Sequence, residues 1–368
     1  MKITNLFMDS TIPLDNEIQY LISRVGLTPE MVTNSQPVYD LVNSARDPIL
    51  KAKSILYITR NKGAVVKECP GTSHYTCCDY TILHTATFCT MDCSYCILQA
   101  YFHPPVLQYF AGFESLARHL DHTFSQNQIF RIGTGEYTDS LIWEKISLGP
   151  RFLIEKFARQ NNSLLELKTK TINVDSLLDL DHNGKTVMAW SVNTPQIIRS
   201  EERGTATLIS RLETARQCEA KGYKLAFHFD PMVIYEGCEA DYKKVVHLIF
   251  SHVSPENIVW ISIGSFRFMP QLKSVIEQRF PSSTIPYGEF ILGLDNKMRY
   301  FKPLRIHLYK TLIDTVKEYA PDVLMYFCME DEEVWEKTLG FFPRKEGELG
   351  RLLDKSAAAH CKLNTSLL

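Results

Sequence analysis

Residues 89–96 read Cys-Thr-Met-Asp-Cys-Ser-Tyr-Cys, which places three thiols within one short loop at the spacing C-x3-C-x2-C. Thiolates favour iron–sulfur clusters and zinc over hard cations, and three of them on one loop can hold three corners of an iron–sulfur cube. The loop supplies no fourth ligand, so a [4Fe–4S] cluster here keeps one iron open to a small molecule. A three-thiol zinc site with a remote fourth ligand, or a chance grouping of cysteines, is the alternative interpretation.

The composition sets wide limits on function. With 368 residues, 45% of them hydrophobic and 22% charged, the chain can bury a large core. Residues 1–10 do not form a leader and no apolar run could span a bilayer, which predicts a cytoplasmic protein without a membrane partner. Ten cysteines in such a chain are expected to be metal ligands, buried residues or redox thiols. A net charge of −2 means that any basic surface for nucleic acid must be local.

Downstream of residue 80, strand-like and helix-like segments alternate, which predicts a parallel sheet. The six predicted strands cover residues 80–83, 128–132, 164–170, 186–192, 224–229 and 258–263, and helices are expected at 106–123 and 174–180 among others. Six units fall short of a closed barrel, so we expect an α/β fold, a partial (β/α)6 TIM-type barrel with small N-terminal and C-terminal extensions. The predicted domains are an N-terminal extension over residues 1–79, a barrel over 80–264 and a substrate-covering region over 265–368.

Polar residues gather where these strands are predicted to end. The cluster loop, the Gly-Thr-Gly-Glu turn at 133–136, Lys170, residues 191–193 and Asp230 all have such positions. Because active sites of barrels of this type lie at the carboxyl ends of the strands, we expect these residues to share one site.

Longer motifs resemble those of the spore photoproduct lyase family of radical S-adenosylmethionine (SAM) enzymes. The resemblance runs from about residue 67 to residue 281. Besides the cluster loop it rests on further motifs, which are Cys69-Pro-Gly-Thr, Cys77-Cys78, Cys96-Ile-Leu-Gln, His182-Asn-Gly-Lys-Thr, Ser191-Val-Asn, Gly222-Tyr-Lys-Leu and Val275-Ile-Glu-Gln-Arg-Phe-Pro. The resemblance implies that Cys89, Cys93 and Cys96 hold a [4Fe–4S] cluster whose open iron binds SAM. It also implies that the reduced cluster splits SAM, and that the resulting 5′-deoxyadenosyl radical takes a hydrogen atom from the substrate.

The resemblance also implies roles for residues at the strand ends. The predicted cofactor-binding residues are Tyr95, Glu136, Thr138, Lys170, Ser191 and Asn193. Tyr95 would lie beside the adenine of SAM. Glu136 would hold the SAM amino group through a charge-assisted hydrogen bond.

A substrate site is predicted in the C-terminal region. Arg267 and Phe268 match the family, and residues 297–305, which include Arg299 and Tyr300, interleave cations with aromatic rings. Such residues can pair with phosphates and stack on a base, although a solvated hairpin or helix cap would show the same pattern. We therefore expect RNA, DNA or a nucleobase as substrate. We also expect an electron donor such as flavodoxin or ferredoxin, and a monomeric enzyme.

Two departures from the family argue for a different substrate. In the lyase, a cysteine after the second strand returns a hydrogen atom to the product radical, and Glu136 occupies that position here. A tyrosine thought to relay the radical follows the third cluster cysteine, and here that residue is Ile97. We therefore predict a divergent enzyme acting on a nucleic acid or modified nucleobase, for example in tRNA, rather than on the standard thymine dimer. The alternatives are a spore photoproduct lyase with another hydrogen donor, such as Cys218 or Cys238, and a radical SAM enzyme for a free nucleoside or deazapurine.

Overall fold

A computed structural model of the chain describes residues 2–71 and 74–368. Met1 of the predicted N-terminal extension, and Thr72 of the Cys69-Pro-Gly-Thr motif with its neighbour Ser73, lie outside the described residues. The strands, in chain order, are β1 (Asn5–Asp9), β2 (Glu30–Val32), β3 (Ile55–Thr59), β4 (Val66–Glu68), β5 (Thr81–Leu83), β6 (Ala86–Thr87), β7 (Asp92–Cys93), β8 (Leu107–Phe110), β9 (Phe130–Gly133), β10 (Ser163–Thr169), β11 (Thr186–Ser191), β12 (Glu202–Arg203), β13 (Lys224–Met232), β14 (Ile258–Ser265), β15 (Arg267–Phe268), β16 (Phe290–Leu292), β17 (Met298–Tyr300) and β18 (Met325–Phe327). The α-helices are α1 (Asn16–Val25), α2 (Gln36–Asn43), α3 (Pro48–Ala52), α4 (Leu98–Tyr101), α5 (Phe113–Phe124), α6 (Gly149–Phe157), α7 (Pro195–Glu201), α8 (Leu208–Ala220), α9 (Cys238–His252), α10 (Pro270–Arg279), α11 (Lys302–Tyr319), α12 (Glu332–Leu339) and α13 (Glu348–His360).

One curled sheet forms the barrel, with its strands in the order β18-β14-β13-β11-β10-β9-β5-β4. Neighbouring strands from β18 to β5 are parallel, and β4 pairs antiparallel with β5. β11 and β14 are buried along their whole length, as expected when helices cover a parallel sheet. The six predicted strands are β5, β9, β10, β11, β13 and β14. The predicted α/β partial barrel is therefore confirmed, and β18 adds a strand from the C-terminal region.

A second sheet lies in the N-terminal part of the chain, in the order β2-β1-β3-β8-β6. Its pairs are parallel except for β6, which is antiparallel to β8. The sheet has its own apolar core, with Phe7, Leu56 and Leu107 among its buried residues. The chain does not divide between the two sheets at residue 80. Strands β6 and β8 follow this residue and join the N-terminal sheet, whereas β4 precedes it and joins the barrel.

Two helix predictions were wrong in part. Residues 107–110 form strand β8 rather than helix, because Leu107 and Tyr109 alternate with less buried residues and face the second core. The helix there begins at Phe113. Residues 174–180 form turns, in which Val174 and Leu177 are buried against the barrel without completing a helix.

The C-terminal region adds a strand to the barrel sheet and packs against the barrel. Besides β18, it contributes the small antiparallel sheet β15-β17-β16 beside the barrel opening. Helix α13 packs against the barrel, where Asp354 pairs with the buried Arg131 of β9 at 2.7 Å. None of the helices in the described part of the chain is both long and apolar enough to cross a membrane.

Candidate active site

A cavity of about 400 Å³ opens at the carboxyl ends of the barrel strands. Its lining brings together most of the residues that the sequence predicts for the site, namely Cys89, Cys93, Tyr95, Cys96, Glu136, Thr138, Lys170, Ser191, Arg267 and Phe268. Asp230, another predicted strand-end residue, also lines it. These residues from the cluster loop, the strand ends and the C-terminal region therefore line one cavity.

The cluster loop is held in place through its backbone. The Gln99 side chain donates to the carbonyl oxygens of Cys93 and Ser94, both at 3.0 Å. The Lys53 ammonium donates to the carbonyl of Cys89 at 3.1 Å. Strand β7 of the loop also pairs with β12. Because the backbone carries these restraints, the thiols of the loop stay available at the cavity surface.

The chemistry of these thiols fits an iron–sulfur cube. No group of three His, Cys, Asp or Glu side chains in residues 2–71 and 74–368 converges on one point as a single metal ion requires. A cube attaches each cysteine to a different iron, so its ligands are spread apart. Cys89, Cys93 and Cys96 line one wall with open cavity in front of them. That space is what a fourth, substrate-binding iron needs.

A buried network fixes the aromatic ring beside the loop. The Tyr95 hydroxyl donates to Glu202, which pairs with Arg211 at 2.5 Å. Burial alone would raise the pKa of Glu202, but the charges of Lys170 and Arg211 outweigh burial and lower it. Arg211 also donates to the carbonyl of Ser191 at 2.8 Å. The network thus links the cluster loop to the end of β11, and Lys170 Nζ lies 5.7 Å from the Tyr95 ring centroid.

Asp139 joins the turn after β9 to the end of β10. One carboxylate oxygen accepts from the Leu141 amide at 2.9 Å and from the Thr169 hydroxyl at 2.8 Å, and the other accepts from the Lys170 amide at 2.8 Å. Burial raises the pKa of Asp139, although these hydrogen bonds oppose the rise. Asp139 thereby positions Thr138 and Lys170 on the same side of the cavity. We call Tyr95, Thr138, Lys170, Ser191 and the three loop cysteines the cluster wall.

Asn193 lies outside the cavity lining. Its amide donates to the Pro231 carbonyl at 2.8 Å, and its side-chain oxygen accepts from the Tyr242 hydroxyl at 2.9 Å and from the Thr194 amide at 2.9 Å. The side chain is buried. Its hydrogen-bonding groups therefore hold the strand end, and we assign it no contact with SAM.

Arg299 and Tyr300 are also away from the cavity. The Arg299 guanidinium pairs with Asp295 at 2.7 Å and donates to the Met329 carbonyl at 2.9 Å. Tyr300 stacks on Phe290 with ring centroids 4.6 Å apart, inside an apolar cluster. The sequence pattern of cations and aromatic rings does not reveal which face of the hairpin packs inward. Both side chains are buried here, so neither presents a free substrate contact.

Ion pairs form the floor of the cavity. Arg267 binds both oxygens of Asp230, at 3.1 and 2.9 Å. Glu166 accepts from His228 at 2.9 Å. Burial opposes ionisation of Glu166, but His228 and Lys168 outweigh it and hold its pKa at about 2.

Sequence reasoning missed Glu166 and Lys168 as cavity residues. Lys168 pairs with Glu136 at 2.9 Å. A signal was present, because residues 166, 168 and 170 alternate along one predicted strand and so share a face.

A second group of thiols and phenols lines the same cavity as the cluster wall. Cys78 and Tyr80 precede β5, and Tyr326 and Cys328 lie in and just after β18, near the other edge of the barrel sheet. Both pairs line the cavity, together with Cys69. Because residues from both ends of the sheet line one cavity, the two edges approach each other there. Burial raises the pKa of Tyr326, and the thiols of Cys78 and Cys328 add to that rise. We call these five residues the seam.

The seam changes the search for a hydrogen donor. Cys218 and Cys238, the remote thiols considered from the sequence, are buried in the hydrophobic core on α8 and α9 and do not line the cavity. Cys69, Cys78 and Cys328 do line it. The sequence predicts a strand that ends at Cys328, but the alternation of strands and helices did not place that strand in the barrel.

Known proteins resemble this chain along most of its length. A family model described as spore photoproduct lyase matches residues 13–310. The spore photoproduct lyase of Bacillus subtilis is 26% identical over 315 residues, which are 84% of this chain and 88% of the relative. That of a Geobacillus species is 28% identical over 222 residues, which are 59% of this chain and 63% of the relative.

Solved structures share the fold. A spore photoproduct lyase variant with bound SAM and dinucleoside spore photoproduct superposes with a TM-score of 0.75 at 21% identity. The match covers 89% of this chain and 100% of that one. A complex of spore photoproduct lyase with dinucleoside spore photoproduct gives a TM-score of 0.74 with the same coverage.

Proposed function

This chain belongs to the spore photoproduct lyase family of radical SAM enzymes, and we propose that it acts on a base within a nucleic acid and restores a hydrogen atom to the product from a thiol of the seam. In this proposal a [4Fe–4S] cluster binds Cys89, Cys93 and Cys96. SAM then lies against the cluster wall, with Tyr95 beside its adenine. A reduced flavodoxin or ferredoxin of the cytoplasm supplies the electron to a monomeric enzyme.

The observation that carries the proposal is that two separate groups of thiols line one cavity. Three cysteines belong to the cluster loop, and three others, Cys69, Cys78 and Cys328, lie on the seam. A substrate between the walls would meet the cofactor on one side and a hydrogen donor on the other. Solved relatives contain dinucleoside spore photoproduct, which supports a nucleobase as the group in that space.

The protein's own contribution is to position and to donate. When bound, the cluster and SAM together supply the radical chemistry that takes a hydrogen atom from the substrate. On the seam side, the sulfur–hydrogen bond of a thiol breaks and a carbon–hydrogen bond forms on the product radical, which leaves the unpaired electron on sulfur. Tyr80 and Tyr326 lie in the same wall. If one of their O–H bonds breaks as the S–H bond forms again, the unpaired electron moves to the phenol oxygen, and one electron from the reduced flavodoxin or ferredoxin together with a proton restores the phenol.

The first candidate substrate is the thymine dimer of spore photoproduct. The second is a different base, for example in tRNA. It is favoured by the charged floor and by the burial of Arg299 and Tyr300, which removes two substrate contacts expected from the sequence. A free nucleoside or deazapurine would also enter the cavity. It would need no backbone contact outside the cavity.

The test begins with anaerobically reconstituted protein. We expect iron and sulfide in the purified enzyme, 5′-deoxyadenosine after reduction with SAM, and nucleic-acid binding that weakens as salt is raised. Dinucleoside spore photoproduct then serves as the probe for lyase activity. A comparison of nucleosides from the RNA and DNA of cells with and without the protein separates the two candidate substrates. Absence of iron, sulfide and 5′-deoxyadenosine would refute the proposed function.

A further inference from the structure

Lys168 reaches into the cavity from the carboxyl end of β10. It lines the same space as Lys170, two residues further on, as expected of alternate positions on one strand face. Lys170 lies near the Tyr95 ring on the cluster wall. The Lys168 ammonium pairs instead with Glu136, so the two lysines of this strand face different groups in the cavity. Burial raises the pKa of the Cys69 and Cys328 thiols, and the charge of Lys168 opposes that rise.

Gly135 and Glu136 set the direction of the lysine. A Cβ atom at Gly135 would lie 2.9 Å from Cβ of Lys168 and 3.0 Å from its Cε. Any other residue at this position would push the lysine stem aside. The ammonium donates to Glu136 Oε1 at 2.9 Å, and the Lys168 side chain is only 23% exposed. The stem is thus packed, while the ammonium remains at the cavity surface.

The ammonium has donor capacity to spare. It carries three N–H groups, and within residues 2–71 and 74–368 its hydrogen-bond acceptor is Glu136. The nearby carboxylates of Glu166 and Asp230 already accept hydrogen bonds from other side chains. An acceptor on a bound substrate would complete the coordination of Lys168.

The surrounding charge favours a neutral acceptor over a phosphate. Burial lowers the pKa of Lys168, but Glu136 and Glu166 outweigh it and raise the pKa, and Asp230 acts in the same direction. These three carboxylates are already paired with Lys168, His228 and Arg267, so little positive charge is left over to hold a phosphate here. A ring carbonyl carries no net charge and accepts a hydrogen bond strongly. The site therefore suits the carbonyl edge of a base.

We propose that Lys168 contacts the substrate directly, by donating a hydrogen bond to a ring carbonyl of the base on which the enzyme acts. The inference rests on the proposed function, because that function brings a base into the cavity. A radical on a carbon conjugated with a carbonyl shifts electron density onto the oxygen, where a fixed N–H donor stabilises it. Glu136 is the positioning residue that directs the ammonium.

The test is a binding cycle with the anaerobic holoenzyme and SAM. Its probes are oligothymidylate and the same strand carrying 2-thiothymine or 4-thiothymine, because sulfur accepts hydrogen bonds more weakly than oxygen. The proteins are wild type, Lys168→Met and the control Lys221→Met, whose lysine pairs with Asp179 on the exposed surface. For wild type and the control, we expect one thio strand to bind roughly ten- to a hundredfold more weakly than the oxo strand. Lys168→Met should bind both strands equally.

Several outcomes overturn the proposal. We call the weaker binding of the thio strand the thio penalty. The proposal is overturned by equal binding of oxo and thio strands by wild type, by a thio penalty that persists in Lys168→Met, and by oligothymidylate binding that is no tighter than that of an abasic strand. The wild-type comparison needs no variant, so it stands even where Lys168→Met does not fold. Glu136→Gln should show a smaller thio penalty than wild type, and an unchanged penalty would refute the positioning role.

A control reaction separates this inference from the proposed function. Formation of 5′-deoxyadenosine by the reduced wild type is measured without nucleic acid. If 5′-deoxyadenosine forms but the binding of the thio strand does not depend on Lys168, only the role of Lys168 is refuted. If 5′-deoxyadenosine does not form, the proposed function fails.

Discussion

The cluster wall and the seam line one cavity, but the chain builds them in opposite ways. The three cysteines of the cluster wall come from one loop, which nearby backbone contacts hold. The seam joins Cys78 and Tyr80 to Tyr326 and Cys328, from segments at opposite edges of the barrel sheet. The comparison teaches that a loop with three cysteines can be encoded locally, whereas a wall built from distant segments depends on how the sheet curls.

The largest expected effect is on the cluster wall. Cys93→Ala removes one of three ligands, so we expect iron, sulfide and 5′-deoxyadenosine formation to fall to background. The control is Cys218→Ala, whose thiol is buried on α8 outside the cavity. Full iron content with unchanged SAM cleavage in Cys93→Ala would show that the loop is not the cofactor site.

Loss of the seam should uncouple the two halves of the reaction. With dinucleoside spore photoproduct as the probe, a Cys69→Ala, Cys78→Ala, Cys328→Ala triple variant should still form 5′-deoxyadenosine. It should release little repaired product, because the hydrogen donor is missing. The single variants then identify the donor.

An isotope measurement sharpens the same comparison. Thiol hydrogens exchange with solvent and carbon-bound hydrogens do not, so wild-type product formed in deuterium oxide should gain deuterium. The mass of the product measures the gain. Product without deuterium would argue against a thiol donor.

The network behind Tyr95 tests how far the cluster wall depends on distant residues. Arg211→Met leaves the buried Glu202 carboxylate without its cation, which costs roughly 3–5 kcal/mol of unfolding free energy. Tyr95→Phe leaves Arg211 in place and should cost roughly 1–2 kcal/mol. Urea unfolding of the two variants measures both. Equal losses would mean that the Glu202–Arg211 ion pair contributes no more to the free energy of unfolding than the Tyr95 hydrogen bond does.

The smallest effect concerns thiol reactivity beside the seam. The hydrogen bond from Cys78 lowers the pKa of Cys77 to about 6, against an opposing effect of burial, whereas burial raises that of Cys69 to about 12. Because the thiolate is the nucleophile, alkylation of Cys77 should rise as pH passes through about 6 and level off above it. Cys69 should stay unreactive at neutral pH.

Mass spectrometry after iodoacetamide treatment follows both sites. Cys78→Ala removes the hydrogen bond and should move the Cys77 profile to higher pH. An unchanged profile in that variant would show that another group sets the acidity of Cys77.

Much of the site could be predicted from local sequence. Tyr95, Thr138, Lys170 and Ser191 follow predicted strands or lie in the cluster loop, and they line the cavity. The substrate residues were harder to predict, because a short hairpin has two faces. Its burial pattern depends on what packs beneath it, and Arg299 and Tyr300 turn out to be buried there.

The sequence by itself determined the cysteine spacing and the six central strands in their chain order, because each depends on residues close together in the chain. Only the tertiary structure decided that β18 joins the barrel, that Cys328 and Cys78 line the same cavity, and that Lys168 lines it beside Gly135. Those relations depend on the curl of the sheet, which brings its edges together. No local pattern of side chains records that closure.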